Sequence, residues 1–405
     1  MPAVPNQCDF CNKSRSRVQK LIVSGSRAIC DECVKMCGDI LQENQHAGNR
    51  KDKRKTKFTN PMKIKQYLDD FVIGQDNAKI TLAVGVVNHY KRLFFDGGDS
   101  VGKSNIMILG PTGSGKTLLA KTVANYLDVP FVVVDVTGTT EAGYVGDDVE
   151  TIITRLLAAA DGDIELAQQG IVFLDEIDKI CKKGDGATTT RDIGGEGVQQ
   201  ALLKLIEGTT ISVPVDGTKR SSSGVVDFNT ERLLFVSSGA FVGLQEQIQR
   251  RRAATIGFTN DQKTATHQAD VTTEDLIKFG MIPEFVGRFP VLINTEALTE
   301  DQLVHVLTEP KDNLIKQYRF YFESDGIPVE FDAQCLRMIA KQAIAMKLGA
   351  RALRSIIEKS LTPHMFALPK YKQDKVNKIL FTAEVFSDGR EPLFSYKSIK
   401  SNQIR

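Results

Sequence analysis

Gly110-Pro-Thr-Gly-Ser-Gly-Lys-Thr117 stands between the apolar run Ile106-Met-Ile-Leu109 and a helix-like run beginning at Leu118. The pattern G-x-x-x-x-G-K-[ST] demands a strand, a tight turn and a helix in that order. Its glycines let successive N–H groups converge on anionic oxygens, and the following helix adds its positive end. Pro111, Thr112, Gly113, Ser114, Gly115, Lys116, Thr117 and Leu118 are therefore the expected cradle for a nucleoside triphosphate. Lys116 would reach the β and γ phosphates, and the Thr117 hydroxyl would ligate Mg²⁺. The competing reading is a plain glycine turn between strand and helix.

A second motif decides what happens to the triphosphate. Ile171-Val-Phe-Leu-Asp175-Glu176-Ile-Asp178 is an apolar strand ending in carboxylates. Open α/β sheets bind ligands at such strand ends. Asp175 can orient Mg²⁺ and Glu176 can polarise the attacking water. Alone, acids at a strand end also read as caps of the next helix. Beside Lys116 and Thr117 they favour hydrolysis, so an ATPase outranks a kinase. Further short apolar runs, Phe131-Val-Val-Val-Asp135, Leu233-Leu-Phe-Val236 and Val291-Leu-Ile293, suit parallel strands buried on both faces. Helical stretches at Val149 to Ala160 and Val198 to Ile206 separate some of them, which predicts an α/β sheet with crossover helices.

Ahead of this region, Cys8-Asp-Phe-Cys11 and Cys30-Asp-Glu-Cys33 form two C-x-x-C knuckles eighteen residues apart. That spacing fits a four-thiolate zinc site, with a small hairpin between the knuckles. Nearby apolar residues are too few to fold such a segment unaided, so metal would supply the missing energy. Cys37 is a rival ligand; Cys33 is preferred because it completes the symmetric pair. A closed Cys₄ site is structural, so this module is expected to bind a partner or itself. Arg50-Lys-Asp-Lys-Arg-Lys-Thr-Lys57 then reads as a solvated linker, with a nucleic-acid or membrane contact as the alternative.

From Pro61 to Leu68 and from Asp76 to Phe95 the pattern is helical. After Val291-Leu-Ile293, Thr299-Glu-Asp-Gln302 reads as a capping box. Asp332 is expected to cap a helix with Leu336, Ile339, Ala340, Ala343 and Ile344 on one apolar face. Leu348-Gly-Ala-Arg351 joins it to a helix through Leu361, and Lys378-Ile-Leu-Phe381 is β-like. The expected organisation is a zinc-binding domain over 1–44, a flexible basic linker over 45–59, a large α/β ATPase domain over 60–295 and a small, mostly helical domain over 296–405. Fifty-two Lys and Arg against 50 Asp and Glu leave a formal charge of +2, no general reason to expect nucleic acid. No apolar run approaches a membrane span, and Cys8 and Cys11 sit where a signal peptide needs its apolar core. A cytoplasmic protein with no membrane partner is expected.

Taken together, the motifs resemble the ClpX family of AAA+ unfoldases, which feed the ClpP peptidase. The stretches that carry the resemblance are Leu68-Asp-Asp-Phe-Val-Ile-Gly-Gln75, Asn88-His-Tyr-Lys-Arg92, Gly143-Tyr-Val-Gly146, Gly195-Glu-Gly-Val-Gln-Gln200, Ile256-Gly-Phe258, Ile282-Pro-Glu-Phe-Val-Gly-Arg288 and Gly349-Ala-Arg351. The resemblance implies an AAA+ P-loop sheet with a small helical C-terminal domain, binding ATP, Mg²⁺ and Zn²⁺ and assembling as a homohexamer. It implies that Val72 and Ile73 pack on adenine. It makes Arg288 a finger reaching the neighbouring subunit's γ phosphate, and Arg351 a sensor within its own subunit. Tyr144 and Val145 would line a central pore, although a buried tyrosine near a turn fits the sequence equally well. Arg191 would lie on a second pore loop, and Ile256, Gly257 and Phe258 would dock on the peptidase.

Gly217-Thr-Lys-Arg-Ser221 departs from the family's Arg-Lys-His loop, which leaves preferences for substrate tags and adaptors open. Ser237 and Ser238 remain alternatives for a polar sensor. The leading expectation is an ATP-driven unfoldase and translocase that threads tagged or unfolded proteins into ClpP, and acts as a chaperone without it. The alternative is a nucleic-acid motor or clamp-loader-type ATPase.

Overall fold

Three of the apolar runs, β3 (Ile106–Leu109), β5 (Ile171–Asp175) and β8 (Leu234–Gly239), are buried at nearly every position. They form the middle of a five-stranded sheet whose edges are β4 (Phe131–Asp135) and β9 (Val291–Asn294), in the order β4-β5-β8-β3-β9. Every pairing is parallel. Strands covered on both faces need no polar alternation, which is why the central three read as continuous apolar runs.

The computed structural model describes residues 5–38, 58–95, 97–138, 149–181, 195–215, 224–255 and 271–396. Tyr144, Val145, Arg191, Gly217 to Ser221, Ile256, Gly257, Phe258 and the basic run Arg50 to Lys57 lie outside them. Among the described residues, no helix is long and apolar enough to cross a membrane. The chain forms two units, Met1–Thr59 and Asn60–Arg405.

In the first unit, β1 (Leu21–Ser24) and β2 (Arg27–Cys30) make the antiparallel hairpin expected between the knuckles. Cys8, Cys30 and Cys33 are buried, and among the described residues Val18, Leu21 and Ile29 pack against them. A core this small leaves folding to the metal site. The sulfurs of Cys8, Cys11, Cys30 and Cys33 all lie within 4.8 Å of one another, and Cys37 is not among them. Cys8 and Cys33 are 3.9 Å apart, Cys11 and Cys30 3.6 Å. Four sulfurs at ~2.3 Å from a tetrahedral zinc ion are about 3.8 Å apart, so the cluster fits that ion. Burial opposes ionisation of Cys8, yet backbone N–H groups of Cys11, Cys30 and Phe10 bring its thiol down to about 6, whereas burial and the neighbouring sulfurs push Cys33 up, so a bound cation is what would hold all four as thiolates.

The described residues of the second unit include two large apolar cores. One lies on one face of the parallel sheet, with Met107, Leu174, Phe235, Leu202 and Phe285 among its members, while Ile106, Ile108, Phe173 and Val236, alternating with these along the strands, are buried on the opposite face. The other joins the helices after Thr299, through Leu303, Phe322, Ile339, Leu353 and Phe381. Residues beyond 298 also form a three-stranded sheet of β10 (Val329–Phe331), β11 (Val376–Phe381) and β12 (Leu393–Tyr396), more strand than the sequence promised. The capping box at Thr299 is present with Gln302 in its reciprocal role. Asp332 stands at its N-cap position, but its side chain makes no capping hydrogen bond. Ile344, placed on the buried face by periodicity, is exposed near that helix's end. The phosphate-loop helix begins at Lys116, two residues before the apolar run suggested, because its first turn presents amides rather than apolar side chains.

Cys33→Ser is expected to lower bound zinc from about one equivalent per chain to near none. Metal release with a colorimetric chelator measures this, and undiminished zinc in the variant would show that the four sulfurs are not the ligands. Acidification should release the metal from the parent chain as protons compete for thiolates.

Candidate functional site

The glycine-rich loop and the ends of β5, β8 and β9 meet at the carboxyl edge of the parallel sheet. Lys116, nearly buried at the start of helix Lys116–Leu127, donates to the carbonyls of Gly110 at 2.6 Å and Pro111 at 2.9 Å. Burial pulls its ammonium below the ordinary value; Asp175 pulls it back, Arg351 repels it, and Asp178 pulls it back again. The strand-end carboxylates and the C-terminal arginine are thus each within electrostatic reach of Lys116.

Asp175 accepts two hydrogen bonds on Oδ1, from the Glu176 amide at 3.0 Å and from the Ser238 hydroxyl at 2.9 Å. Ser238 and Ser237 are thereby distinguished, because Ser237, equally buried, has no partner for its hydroxyl. Glu176 is exposed and left-handed, at φ 59° and ψ 31°, a conformation costing a non-glycine residue about 1 kcal/mol or more. The turn that follows is pinned by Asp178, whose Oδ1 accepts the Ala240 amide at 3.1 Å.

Val72 is buried and Ile73 half-buried beside the loop. A Cβ on Gly115 would lie 3.9 Å from Val72 Cγ1, so the valine borders the cradle. Gln75 locks this segment in place. Its Nε2 donates to the carbonyls of Glu296 at 2.8 Å and Ser114 at 3.4 Å, and its Oε1 accepts the Glu296 amide at 3.0 Å. Ser114 and Thr295 share a 2.7 Å hydroxyl contact, and Thr295 also donates to the Leu109 carbonyl at 3.0 Å. Gln75 was legible only as part of a longer motif, and Thr295 carried no signal at all.

The turn before Arg351 packs directly on the loop. Gly113, at φ +76°, lies so close to the Leu348 carbonyl that a Cβ would stand 2.2 Å from that oxygen. Ala350 donates its amide to the Gly113 carbonyl at 3.3 Å, and Gly349 is itself left-handed at φ +56°. Arg351 opens the helix Arg351–Phe366 from this contact and stays exposed.

Arg288 stands elsewhere. It caps the short helix Pro283–Gly287, is half-exposed, and pairs through Nη2 with Glu207 Oε1 at 2.5 Å. Its carbonyl accepts Asn105 Nδ2 at 3.0 Å. The site residues of the loop, β5 and the Arg351 turn are thus brought together, while Arg288 faces outward.

The chain's own residues fit a nucleotide and a hard cation. The loop amides and Lys116 suit phosphate oxygens, whereas Thr117 and Asp175 supply the oxygen ligands that Mg²⁺ prefers.

Three family descriptions match the chain. Residues 6–43 match the ClpX C4-type zinc finger. Residues 102–292 match the AAA domain of the Cdc48 subfamily, and residues 298–378 match the C-terminal D2-small domain of ClpB protein. The second match spans the phosphate loop, Asp175, Glu176 and Arg288; the third spans Arg351.

Gly113→Val is expected to weaken nucleotide binding roughly tenfold or more, since a β-branched side chain meets both the left-handed backbone and the Leu348 carbonyl. Titration with a fluorescent ATP analogue reads the loss, and affinity equal to the parent's would contradict the close approach.

Proposed function

We propose that this chain, a ClpX-like AAA+ ATPase, unfolds tagged or unfolded proteins and threads them, as a homohexamer, into a ClpP-type peptidase. The observation carrying this reading is a site divided in two. Lys116, Asp175 and Arg351 converge in one chain, whereas Arg288 is presented outward with Glu207 as its partner. An exposed guanidinium that pairs with Glu207 rather than with a residue of the loop suits a role at the γ phosphate of a neighbouring subunit.

In this reading ATP lies across Gly110 to Leu118, with its base against Val72 and Ile73. Lys116 neutralises the β and γ phosphates. Thr117 and Asp175 would hold Mg²⁺, which supplies charge neutralisation at the phosphates. Glu176 takes the proton of the attacking water; its carboxylate is exposed, and its amide donates to Asp175. Ser238 keeps Asp175 oriented. Arg351 reports the occupied site to the helices behind it through the Gly113–Leu348 contact.

Substrate handling is assigned to residues outside the described ones. Tyr144 and Val145, flanked by glycines, grip polypeptide by contact area, with Arg191 on a second loop. Ile256, Gly257 and Phe258 form an apolar anchor in a polar stretch that suits docking on the peptidase. The domain limits follow the sequence: a zinc module over 1–44, a linker over 45–59, an ATPase domain over 60–295 and a small domain over 296–405. The zinc module serves substrates, adaptors or its own copies rather than catalysis, in the cytoplasm.

Two experiments bear on this. Glu176→Gln should bind ATP within about twofold of the parent yet lose at least ~100-fold in steady-state turnover. Normal hydrolysis would remove Glu176 from its role. Phe258→Ala should abolish ATP-dependent degradation of a tagged fluorescent protein by the added peptidase while sparing hydrolysis. Degradation at the parent rate would mean that the docking residues lie elsewhere.

A further inference from the structure

One helix, Gly195–Glu207, touches both halves of the divided site. At its start Gly195 lies against the Ile180 carbonyl, where a Cβ would stand 2.6 Å from the oxygen. One turn later Gln199 is fully buried. Its Nε2 donates to the Ile180 carbonyl at 2.7 Å, and its Oε1 accepts the Ile282 amide at 3.0 Å. At the helix end Glu207 holds the Arg288 guanidinium.

The two backbone groups that Gln199 joins belong to different machinery. Ile180 ends the single turn Ile177–Ile180 that follows Glu176 and is pinned through Asp178 to the end of β8. Ile282 is the N-cap of Pro283–Gly287, and Arg288 is that helix's C-cap. Neither Ile180 nor Ile282 can shift far without losing a buried hydrogen bond, and an unpaired buried backbone group is costly. A side-chain amide of fixed length therefore makes the Glu176 turn, the helix Gly195–Glu207 and the Arg288 turn move together.

We propose that Gln199 is a positioning residue through which the Glu176 site of one subunit sets how that subunit presents Arg288 to its neighbour. The proposal rests on the reading that Arg288 acts across a subunit interface. It assigns Gln199 no contact with nucleotide. Its effect is felt in the adjacent site.

Mixed rings test this. Parent subunits are assembled with an excess of Glu176→Gln subunits, so that hydrolysis occurs at parent sites whose Arg288 comes mostly from the inactive chain. Adding Gln199→Met to the inactive chain alters only the subunit that does not hydrolyse. Parent turnover at saturating ATP is expected to fall by at least about fivefold, the scale of a misplaced catalytic group. Equal turnover, with ring assembly verified by sedimentation, overturns the proposal, because the amide would then serve only its own fold or site. Replacing Gln199→Met by Arg288→Ala in the inactive chain is the control. If that mixture is not slowed, it is the reading of Arg288 as acting across the interface that fails. Should Gln199→Met not enter rings, Gln199→Asn keeps the amide but is one methylene too short for both bonds, and is judged by the same criterion.

Discussion

The Leu348 carbonyl reaches the phosphate loop only because Gly113 carries no side chain. That approach and the bond from the Ala350 amide to the Gly113 carbonyl fix where Arg351 begins its helix. Arg351, Leu353 and Ile357 lie on that helix, and the last two belong to the second apolar core. The contact is made between backbones, so it responds to the conformation of the loop rather than to side-chain identity. A change at Gly113 therefore bears directly on the turn from which that helix starts.

The carboxylate side of the site is organised by hydrogen bonds that belong to different strands. Asp175 receives Ser238 from β8, and Asp178 receives the Ala240 amide just beyond β8. Between them Glu176 is held in a left-handed conformation that its own sequence does not favour. Strain of this kind persists only where neighbouring contacts over-determine the backbone. Here Asp175 and Asp178 supply those contacts on either side of the strained residue, and Glu176 itself is left exposed.

Much of the sheet and most of the loop were legible from sequence, since short apolar runs and glycine-lysine spacing are local signals. Ser237 and Ser238 show where legibility stopped. Which serine meets Asp175 depends on the register of β8 against β5, in which Leu174 lies opposite Ser237. The next residue along each strand, Ser238 and Asp175, then shares a face. Neither strand's composition contains that register. Gln199 was hidden for a related reason: its partners, Ile180 and Ile282, are backbone groups 19 and 83 residues away. A buried glutamine inside an amphipathic helix reads only as a break in the pattern. Asp332 illustrates the opposite error, a correct cap position whose side chain turned out to make no cap bond.

Under the proposed function, charge is the reason one chain alone would make an incomplete site. Lys116 and Arg351 provide two cations at the sheet edge, while Asp175, Glu176 and Asp178 provide three carboxylates, one negative charge in excess. A nucleoside triphosphate adds roughly four negative charges, and its transition state spreads them over the γ oxygens. A divalent cation on Thr117 and Asp175 would offset part of this. A further cation would still be required close to the γ phosphate, since it is there that charge develops during hydrolysis. Lys116, which now donates to the loop carbonyls, would serve the β and γ phosphates, and Arg351 opens its helix beside the turn packed on Gly113. Arg288, half-exposed and held by a single carboxylate at the surface, is the guanidinium that the proposed assembly would recruit at the cost of one exposed ion pair.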